Sequence, residues 1–187
     1  MSVLSRGAHG LLRSLRPTGL RPARNNRGQL YSCGTHALSA REAREMLASG
    51  AHKGNEYTYL TEVPVRWIDM DVMGHVNNSI FFTYFEQARC EHFDAVGLVI
   101  GGSVPEGPIL AETSCKFRGP VLHGDVLTVG AECEKVDDTS WVQRYAVVSH
   151  ASGRVIAEGS ASLVWFDYKR GQRKSFSEEA DRMLFGK

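Results

Sequence analysis

Residues 66–89 read RWIDMDVMGHVNNSIFFTYFEQAR, and this stretch decides how the chain is interpreted. Two aspartates, a Gly-His pair and two asparagines are followed at once by a run of aromatic residues with helical spacing. Asparagine is a preferred residue at helix starts, and the first turn of a helix presents unpaired N–H groups with partial positive charge. The stretch therefore predicts a polar loop that opens a long apolar helix, whose amino end can hold an anion or a developing oxyanion.

The helix is predicted to run from about Asn78 to Val96, with Gly97 as its C-cap. Ile80 and Phe82 widen its apolar stripe, so other structure must cover the helix on most sides. The stripe itself consists of Phe81, Tyr84, Phe85, Ala88 and Phe93. So broad an apolar surface indicates a helix at the centre of the fold.

Strand patterns lie on both sides of that helix along the chain. Residues 57–67 alternate with a period of two, and Pro64 indicates an edge or an irregularity. Four more strand patterns follow the helix and are separated by turn residues; they cover 109–119, 126–136, 141–150 and 155–168. This order predicts an α+β fold, a single domain in which an antiparallel sheet wraps around one long central helix.

The first forty residues have a composition of their own. Residues 1–40 contain six Arg and no Asp, Glu or Lys, and their apolar residues recur at helical spacing before Pro17. An Arg- and Ser-rich amphipathic start is typical of an organelle transit peptide, and one whose helix begins at once favours the mitochondrial matrix over the plastid. The alternative interpretation is a disordered basic tail with no targeting role. We divide the chain into a transit peptide (1–40), a linker or short helix (41–56), the main domain (57–170) and a tail with a short helix (171–187).

Several functional classes are disfavoured by charge and composition. The whole chain has a net charge of +1, but residues 41–187 carry about −5, which argues against nucleic-acid binding. No apolar run is long enough to span a membrane. The four Cys are widely spaced, without the spacing of zinc ligands or of a disulfide framework. We therefore expect no metal and no redox cofactor.

The polar loop contains the equipment for one kind of chemistry. Asp69 and Asp71 alternate along a predicted strand end, so only one of them faces the helix start. Gly74 lets the backbone turn tightly or lets a ligand approach. A carboxylate beside an oxyanion site is the minimum requirement for hydrolysing an acyl group, either by activating water or by direct attack.

The same stretch resembles the signature of the hotdog-fold acyl-CoA thioesterases, the 4-hydroxybenzoyl-CoA thioesterase-like family. The aromatic residue, the Asp-x-Asp pair, the Gly-His-Val-Asn-Asn run and the Glu-x-Ala-Arg end of the helix all fall in place between Trp67 and Arg89. FRGPVLHGDVLTV, WVQRYAVVSH and VIAEGSASLVWFD resemble later strands of the family, so the resemblance covers about residues 57–168. It implies hydrolysis of fatty-acyl or aryl thioesters in lipid metabolism, with active sites at the interface of a homodimer or homotetramer.

The resemblance assigns roles to several positions. It gives the catalytic carboxylate to Asp71 and the carbonyl-polarising amide to the backbone N–H of Asn78. Asn77 and His75 are further catalytic candidates, although a helix cap and a packing histidine explain them as well. Candidate substrate contacts are Gly74, Phe81, Phe85, Glu86, Lys116 and Arg118. Asp69 is interpreted as structural, the two phenylalanines as core residues first, and Glu86 either as a site residue or as an ion-pair partner of Arg89.

The chain departs from the founding members of the family in one turn. Their turn before the strand that resembles WVQRY is basic and binds the phosphates of coenzyme A, whereas here it reads VDDTS. Asp137 and Asp138 would repel a phosphate, so the nucleotide of coenzyme A is bound by other residues or is bound weakly. Lys116 and Arg118 are the candidate substitutes, although solvent-facing charge on alternating strand positions explains them equally well. The alternative substrate is an acyl group carried on an acyl carrier protein. Two different functions also stay open for this fold: a hotdog enoyl-CoA hydratase, and a non-catalytic protein that binds acyl chains.

Overall fold

The computed structural model describes residues 37–50, 52–101 and 104–186. Nearly all of the predicted transit peptide lies outside these residues, and targeting stays a prediction. The helices are α1 (Ala40–Ala48), α2 (Ile80–Ala95) and α3 (Glu178–Phe185), with a short 3-10 helix at Trp67–Asp69. The strands are β1 (Tyr59–Pro64), β2 (Glu106–Phe117), β3 (Val126–Lys135), β4 (Ser140–Ser149), β5 (Arg154–Asp167) and β6 (Gln172–Arg173). No helix within these ranges is long and apolar enough to cross a membrane.

The strands form one antiparallel sheet in the order β1-β3-β4-β5-β2, and β6 adds a short pairing to β5. β1 and the twelve-residue β2 therefore lie at opposite edges of the sheet. The central strands β3 and β4 are buried over much of their length, whereas β2 is mostly exposed. The fold class predicted from the sequence, an antiparallel sheet around one long helix, is confirmed.

The two faces of the sheet carry separate apolar clusters. The larger cluster lies under α2 and includes Phe81, Phe85 and Trp141. The smaller one lies on the other face, where Leu47 of α1 packs with Ala146 and Val148. Successive side chains of a strand point to opposite faces, which is why Tyr145 contacts α2 while its neighbour Ala146 contacts α1.

α2 is stopped by the glycine that the sequence indicates. Gly97 has a φ of +80°, a left-handed conformation that glycine adopts without a steric penalty. Its N–H donates to the carbonyl of Asp94, and the N–H of Leu98 donates to the carbonyl of Phe93. Together these two bonds form a Schellman motif, and Leu98 and Phe93 both belong to the larger cluster. The chain therefore turns back into the core as soon as the helix ends.

α2 sits close to the sheet because one strand residue has no side chain. A Cβ on Gly159 of β5 would lie 2.3 Å from the Phe85 ring. The same ring stacks on Tyr145, with centroids 4.5 Å apart and planes within 8°. Gly159 and Tyr145 are direct partners across β4 and β5, so a glycine and an aromatic residue together form the seat for Phe85.

Two sequence expectations about local structure are wrong. The first strand ends at Pro64 rather than at Trp67, because the chain leaves the sheet and folds into the 3-10 helix. α2 begins at Ile80 rather than at Asn77 or Asn78, which lie in the segment before it. Both differences lie in the polar loop, where local hydrogen bonds from aspartate and asparagine compete with regular structure.

Gly159→Ala should destabilise the fold by about 2–3 kcal/mol, because the new methyl overlaps the Phe85 ring in a packed core. Urea unfolding followed by circular dichroism measures the effect. Gly119→Ala is a matched control, since a Cβ there meets its nearest atom, on Ile156, at 3.7 Å. We expect that control to stay within about 0.5 kcal/mol of the parent. Equal stability of the two variants would contradict the proposed seat for Phe85.

Candidate active site

The polar loop between β1 and α2 is closed on itself. Met70 and Val76 form an antiparallel bridge, and the turn between them contains Asp71 and Gly74. The N–H of Asp71 donates to the carbonyl of His75, and the N–H of Gly74 donates back to the carbonyl of Asp71. Gly74 has a φ of +80°, so its backbone takes the tight turn that the sequence predicts.

The loop is anchored by the carboxylate of Asp69, which is fully buried. It accepts from the backbone N–H of Arg66 at 2.8 Å, from the Arg66 guanidinium at 2.7 Å and from the hydroxyl of Tyr84 at 2.9 Å. Burial alone would raise the pKa of Asp69, but these donors outweigh it, and the net pKa is lowered. The backbone carbonyl of Asp69 also accepts from the N–H of Asn77. Asp69 therefore ties together the 3-10 helix, α2 and the segment that leads into α2.

Asp71 is the second carboxylate of the loop and, unlike Asp69, it is not enclosed by side-chain donors. One oxygen accepts from the backbone N–H of Met73 at 2.8 Å, and the other lies 3.6 Å from Nδ1 of His75. The side chain is 18% exposed, so it is partly shielded and still reachable. Asp69 and Asp71 differ in burial because Asp69 ends a 3-10 helix and Asp71 starts a turn. The sequence analysis expected the two aspartates to alternate along a strand end, and that expectation is wrong.

His75 is oriented by the backbone beside it. Its Nδ1 lies 3.2 Å from the carbonyl oxygen of Val76, and because a carbonyl only accepts, this contact places a proton on Nδ1. The ring thus makes a structural hydrogen bond, in agreement with the interpretation of His75 as a packing histidine. It also stands beside the Asp71 carboxylate, at the 3.6 Å separation given above.

The segment before α2 leaves one donor free. The side-chain oxygen of Asn77 accepts from both the backbone N–H and the hydroxyl of Ser79, at 2.9 and 2.8 Å. Asn77 therefore caps the turn that leads into α2, and Ser79 occupies the N-cap position itself. The N–H of Asn78 donates to no acceptor within the described part of the chain, and Asn78 is exposed. The predicted oxyanion donor is thus unpaired.

The aromatic candidates on α2 belong to the core. Phe81 is 3% exposed and packs edge-on against Tyr84 and Phe117, and Phe85 is fully buried in its seat. Glu86 is exposed and forms no ion pair with Arg89 in the described residues. The buried Arg89 instead donates to the hydroxyl of Tyr145 at 3.3 Å. The ion-pair interpretation of Glu86 is therefore wrong.

The two basic candidates, Lys116 and Arg118, lie away from this loop. Phe117 between them faces α2, so Lys116 points to the opposite face of the sheet, where it pairs across the strands with Glu158. Arg118 forms an ion pair with the same glutamate, which also accepts from His52 and Lys53. Burial opposes ionisation of Glu158, but these donors lower its pKa to about 2. Within one chain, Arg118 is already neutralised and does not meet Asp71.

The acidic turn has a structural role. Asp137 accepts from the backbone N–H and the hydroxyl of Thr139 at 2.7 and 2.8 Å, which closes the turn between β3 and β4. The N–H bond from Thr139 is the main cause of its lowered pKa. Asp138 lies 3.3 Å from Lys135. The turn that replaces a basic phosphate site is therefore stabilised by its own aspartates.

The residues that sequence analysis missed are Arg66 and the Tyr84 hydroxyl. Arg66 lies three residues before Asp69, a spacing that could have indicated the ion pair. Tyr84 is fifteen residues from Asp69 and was visible only as part of an apolar stripe. Its hydroxyl shows that the stripe also stabilises the loop.

An antiparallel sheet around one long helix is the hotdog architecture that the sequence predicts, and an accessible carboxylate with a free N–H just before that helix is the equipment that thioester hydrolysis requires. The model of the thioesterase-like superfamily matches residues 65–184. The chain belongs to this superfamily. The resemblance and the thioester hydrolysis predicted from the sequence are thereby confirmed.

Three relatives illustrate the match. The long-chain acyl-CoA thioesterase FadM of Escherichia coli (strain K12) is 23% identical over 112 residues, which cover 58% of this chain and 83% of FadM. The chloroplastic acyl-acyl carrier protein thioesterase ATL3 of Arabidopsis thaliana is 28% identical over 122 residues, covering 63% of each chain. A thioesterase from Thermus thermophilus, solved with coenzyme A and Zn, superposes with a TM-score of 0.59 at 26% identity, covering 68% of this chain and 92% of its own.

Tyr84→Phe should lower the free energy of unfolding by about 1–2 kcal/mol at pH 7, because a buried carboxylate loses a hydrogen bond. The folded-state pKa of Asp69 lies below its ordinary value of 3.8, so this contribution is present above that pH and is lost as the pH falls through the folded pKa. Urea unfolding at pH 7 and pH 3 tests both statements. Tyr168→Phe, which removes an exposed hydroxyl bonded to the carbonyl of Pro108, is the control and should change little. A pH-independent loss in Tyr84→Phe would contradict the role of Asp69.

Proposed function

We propose that the protein hydrolyses acyl-CoA thioesters, with Asp71 as the catalytic residue. The observation that carries the proposal is a partly exposed carboxylate in the closed turn, followed seven residues later by an unpaired N–H just before α2. The names of FadM and of the Thermus enzyme solved with coenzyme A support CoA as the carrier of the acyl group. No further cofactor enters the proposed reaction.

The proposed reaction uses the carboxylate of the loop and the N–H before α2. Asp71 removes a proton from water, or attacks the thioester carbonyl itself, and the Met73 N–H keeps its other oxygen in place. The N–H of Asn78 stabilises the negative charge on the carbonyl oxygen of the tetrahedral intermediate. The C–S bond then breaks, and the thiolate of CoA leaves and takes up a proton. With Asp71 as the base, the other product is the free acid. With Asp71 as the nucleophile, the other product is an acyl anhydride of Asp71, which water cleaves to the free acid and the restored carboxylate.

Two features bear on the carrier of the acyl group. The turn at Asp137 and Asp138 offers no basic side chain for the phosphates of CoA, and Arg118 is engaged by Glu158. The ATL3 relative is named for acyl carrier protein, which makes that substrate the second candidate. A phosphopantetheine arm is common to both carriers, so the catalytic loop serves either one.

We also propose a homodimer that buries the loop and the β2 edge. An edge strand leaves unpaired backbone groups that a second copy can pair. Leu110 and Phe117 on this strand are 43% and 45% exposed. Near Asp71, Trp67, Ile68, Val72 and Met73 are exposed, an apolar surface beside a polar site that a partner subunit would cover. A monomer by analytical ultracentrifugation at micromolar concentration would contradict this proposal.

For the cell compartment we propose the mitochondrial matrix, on the composition of residues 1–40 alone. A fluorescent protein carrying residues 1–40 should enter mitochondria. Diffuse fluorescence, or import into plastids in plant cells, would overturn this assignment.

Thiol release from acyl-CoAs of increasing chain length tests the activity directly. Asp71→Asn should lower kcat/KM by at least about a hundredfold, since it removes the base or nucleophile. Asp94→Asn is a matched control, because Asp94 is an exposed aspartate near the far end of α2. It should retain the parent activity.

The outcomes separate the remaining candidates. Loss in Asp71→Asn with an unchanged fold supports the proposal, and the preferred chain length identifies the acyl group. If the parent releases no thiol from any acyl-CoA but hydrolyses acyl-acyl carrier protein, the carrier assignment is wrong and the catalytic one stands. Consumption of enoyl-CoA without thiol release would indicate a hydratase instead, and binding without any turnover would indicate an acyl-binding protein.

A further inference from the structure

A cavity lies at the carboxyl end of α2, far from the proposed catalytic loop. Its volume is about 480 Å³, within the usual range for small-molecule sites. Side chains of β1, α2, β3 and α3 form its walls, among them Tyr59, His92, Ala95, Cys133, Met183 and Phe185. α2 has sixteen residues, so its two ends are about 24 Å apart at 1.5 Å per residue. The packed side chains of Phe85 and Ala88 lie between them.

The walls of this cavity combine three rings with apolar side chains and two charged residues, Glu132 and Lys135. The carboxylate of Glu132 accepts from the backbone N–H of Thr58 at 3.2 Å. The rings of Tyr59 and His92 stack with centroids 5.2 Å apart and planes within 11°. Met183 and Phe185 of α3 supply apolar surface opposite them. Lys135 is also part of the wall, but it forms ion pairs with Asp181 and Asp138 and is therefore neutralised.

One nitrogen of a buried histidine is left for a ligand. His92 is 6% exposed, and its Nδ1 lies 3.0 Å from the amide nitrogen of Gln143. Because that amide donates, Nδ1 accepts, and the ring proton resides on Nε2. Nε2 has no hydrogen-bond partner in the described residues. Burial lowers the pKa of His92, so the ring stays neutral near pH 7 and offers a single N–H donor.

We propose that this cavity binds a small, neutral and mainly apolar molecule through one oxygen atom, a hydroxyl or a carbonyl, that accepts from Nε2 of His92. The aromatic walls match a planar ring, since offset and edge-on ring contacts are favourable. A carboxylate does not fit, because a buried anion needs a cation and Lys135 is already paired. The free acid released at Asp71 is thereby excluded as the ligand. The site is independent of the proposed thioesterase reaction.

Phenol and toluene form a matched pair of probes, because they differ only in the group that reaches Nε2. Full-length protein labelled with ¹³C at the methionine methyls gives a separate signal for each site. Met183 reports on the cavity, while Met70 and Met73 report on the catalytic loop. Phenol should shift the Met183 signal saturably and leave Met70 and Met73 in place. Toluene should bind about fivefold more weakly, the effect of losing one hydrogen bond.

Two variants connect the signal to the cavity. Ala95→Leu fills the space from the last residue of α2, and leucine is a good helix former, so the fold is retained. The phenol-induced shift of Met183 should disappear. Ala48→Leu makes the same change at the exposed last residue of α1 and should leave the shift unchanged. His92→Phe keeps an aromatic ring, and phenol should then bind no better than toluene.

The outcomes are distinct from those of the activity assay, since no substrate is present. Equal shifts at Met183, Met70 and Met73, or an unchanged Met183 shift in Ala95→Leu, would overturn the proposal. If phenol and toluene bind equally to the parent protein, the hydrogen bond to His92 is wrong. Loss of thiol release in Asp71→Asn with an intact phenol response would show that the two sites work independently. The activity proposal and the cavity proposal can therefore be contradicted separately.

Discussion

The buried carboxylate of Asp69 is the interaction on which the rest of the active-site region depends. A buried charge is costly unless donors surround it, and here three groups from two segments do so. Arg66 provides two of them, and the third is the hydroxyl of Tyr84 on α2. The loop therefore cannot move without uncovering the charge. That constraint holds the segment that carries Asp71 at the start of α2, where the proposed reaction needs a carboxylate and a free N–H.

The elements built on a regular period could be predicted from the sequence. α2, the four strands after it and the glycine at its end follow from hydrophobic spacing and from backbone preferences, which are local properties of the chain. The position of Asp71 was identified through its resemblance to a family, since an aspartate before a helix explains a cap equally well. Sequence alone places a carboxylate there, and the structure adds that Met73 and His75 are its neighbours.

The features that could not be predicted depend on contacts between distant residues. The 3-10 helix replaces the end of a strand because Asp69 finds Tyr84 fifteen residues later. The sequence offers Arg118 to a phosphate, but Glu158, forty residues later in the chain, forms an ion pair with it at the end of β2. The sequence does not distinguish Gly159 from any other strand glycine, because its contact with the Phe85 ring is made only in the folded protein. Each of these partners is set by the tertiary fold, above all by strand register, which no local pattern contains.

The free N–H of Asn78 has a consequence for how this protein can vary. A peptide N–H is present in every residue except proline, so the donor survives almost any exchange of the side chain. Asn78 is exposed, and its side chain has no hydrogen bond in the described ranges. In the proposed reaction, exchanging the side chain at position 78 for any residue except proline would therefore leave the donor in place. Under that proposal, side-chain substitution cannot test the role of position 78, because the proposed donor belongs to the backbone.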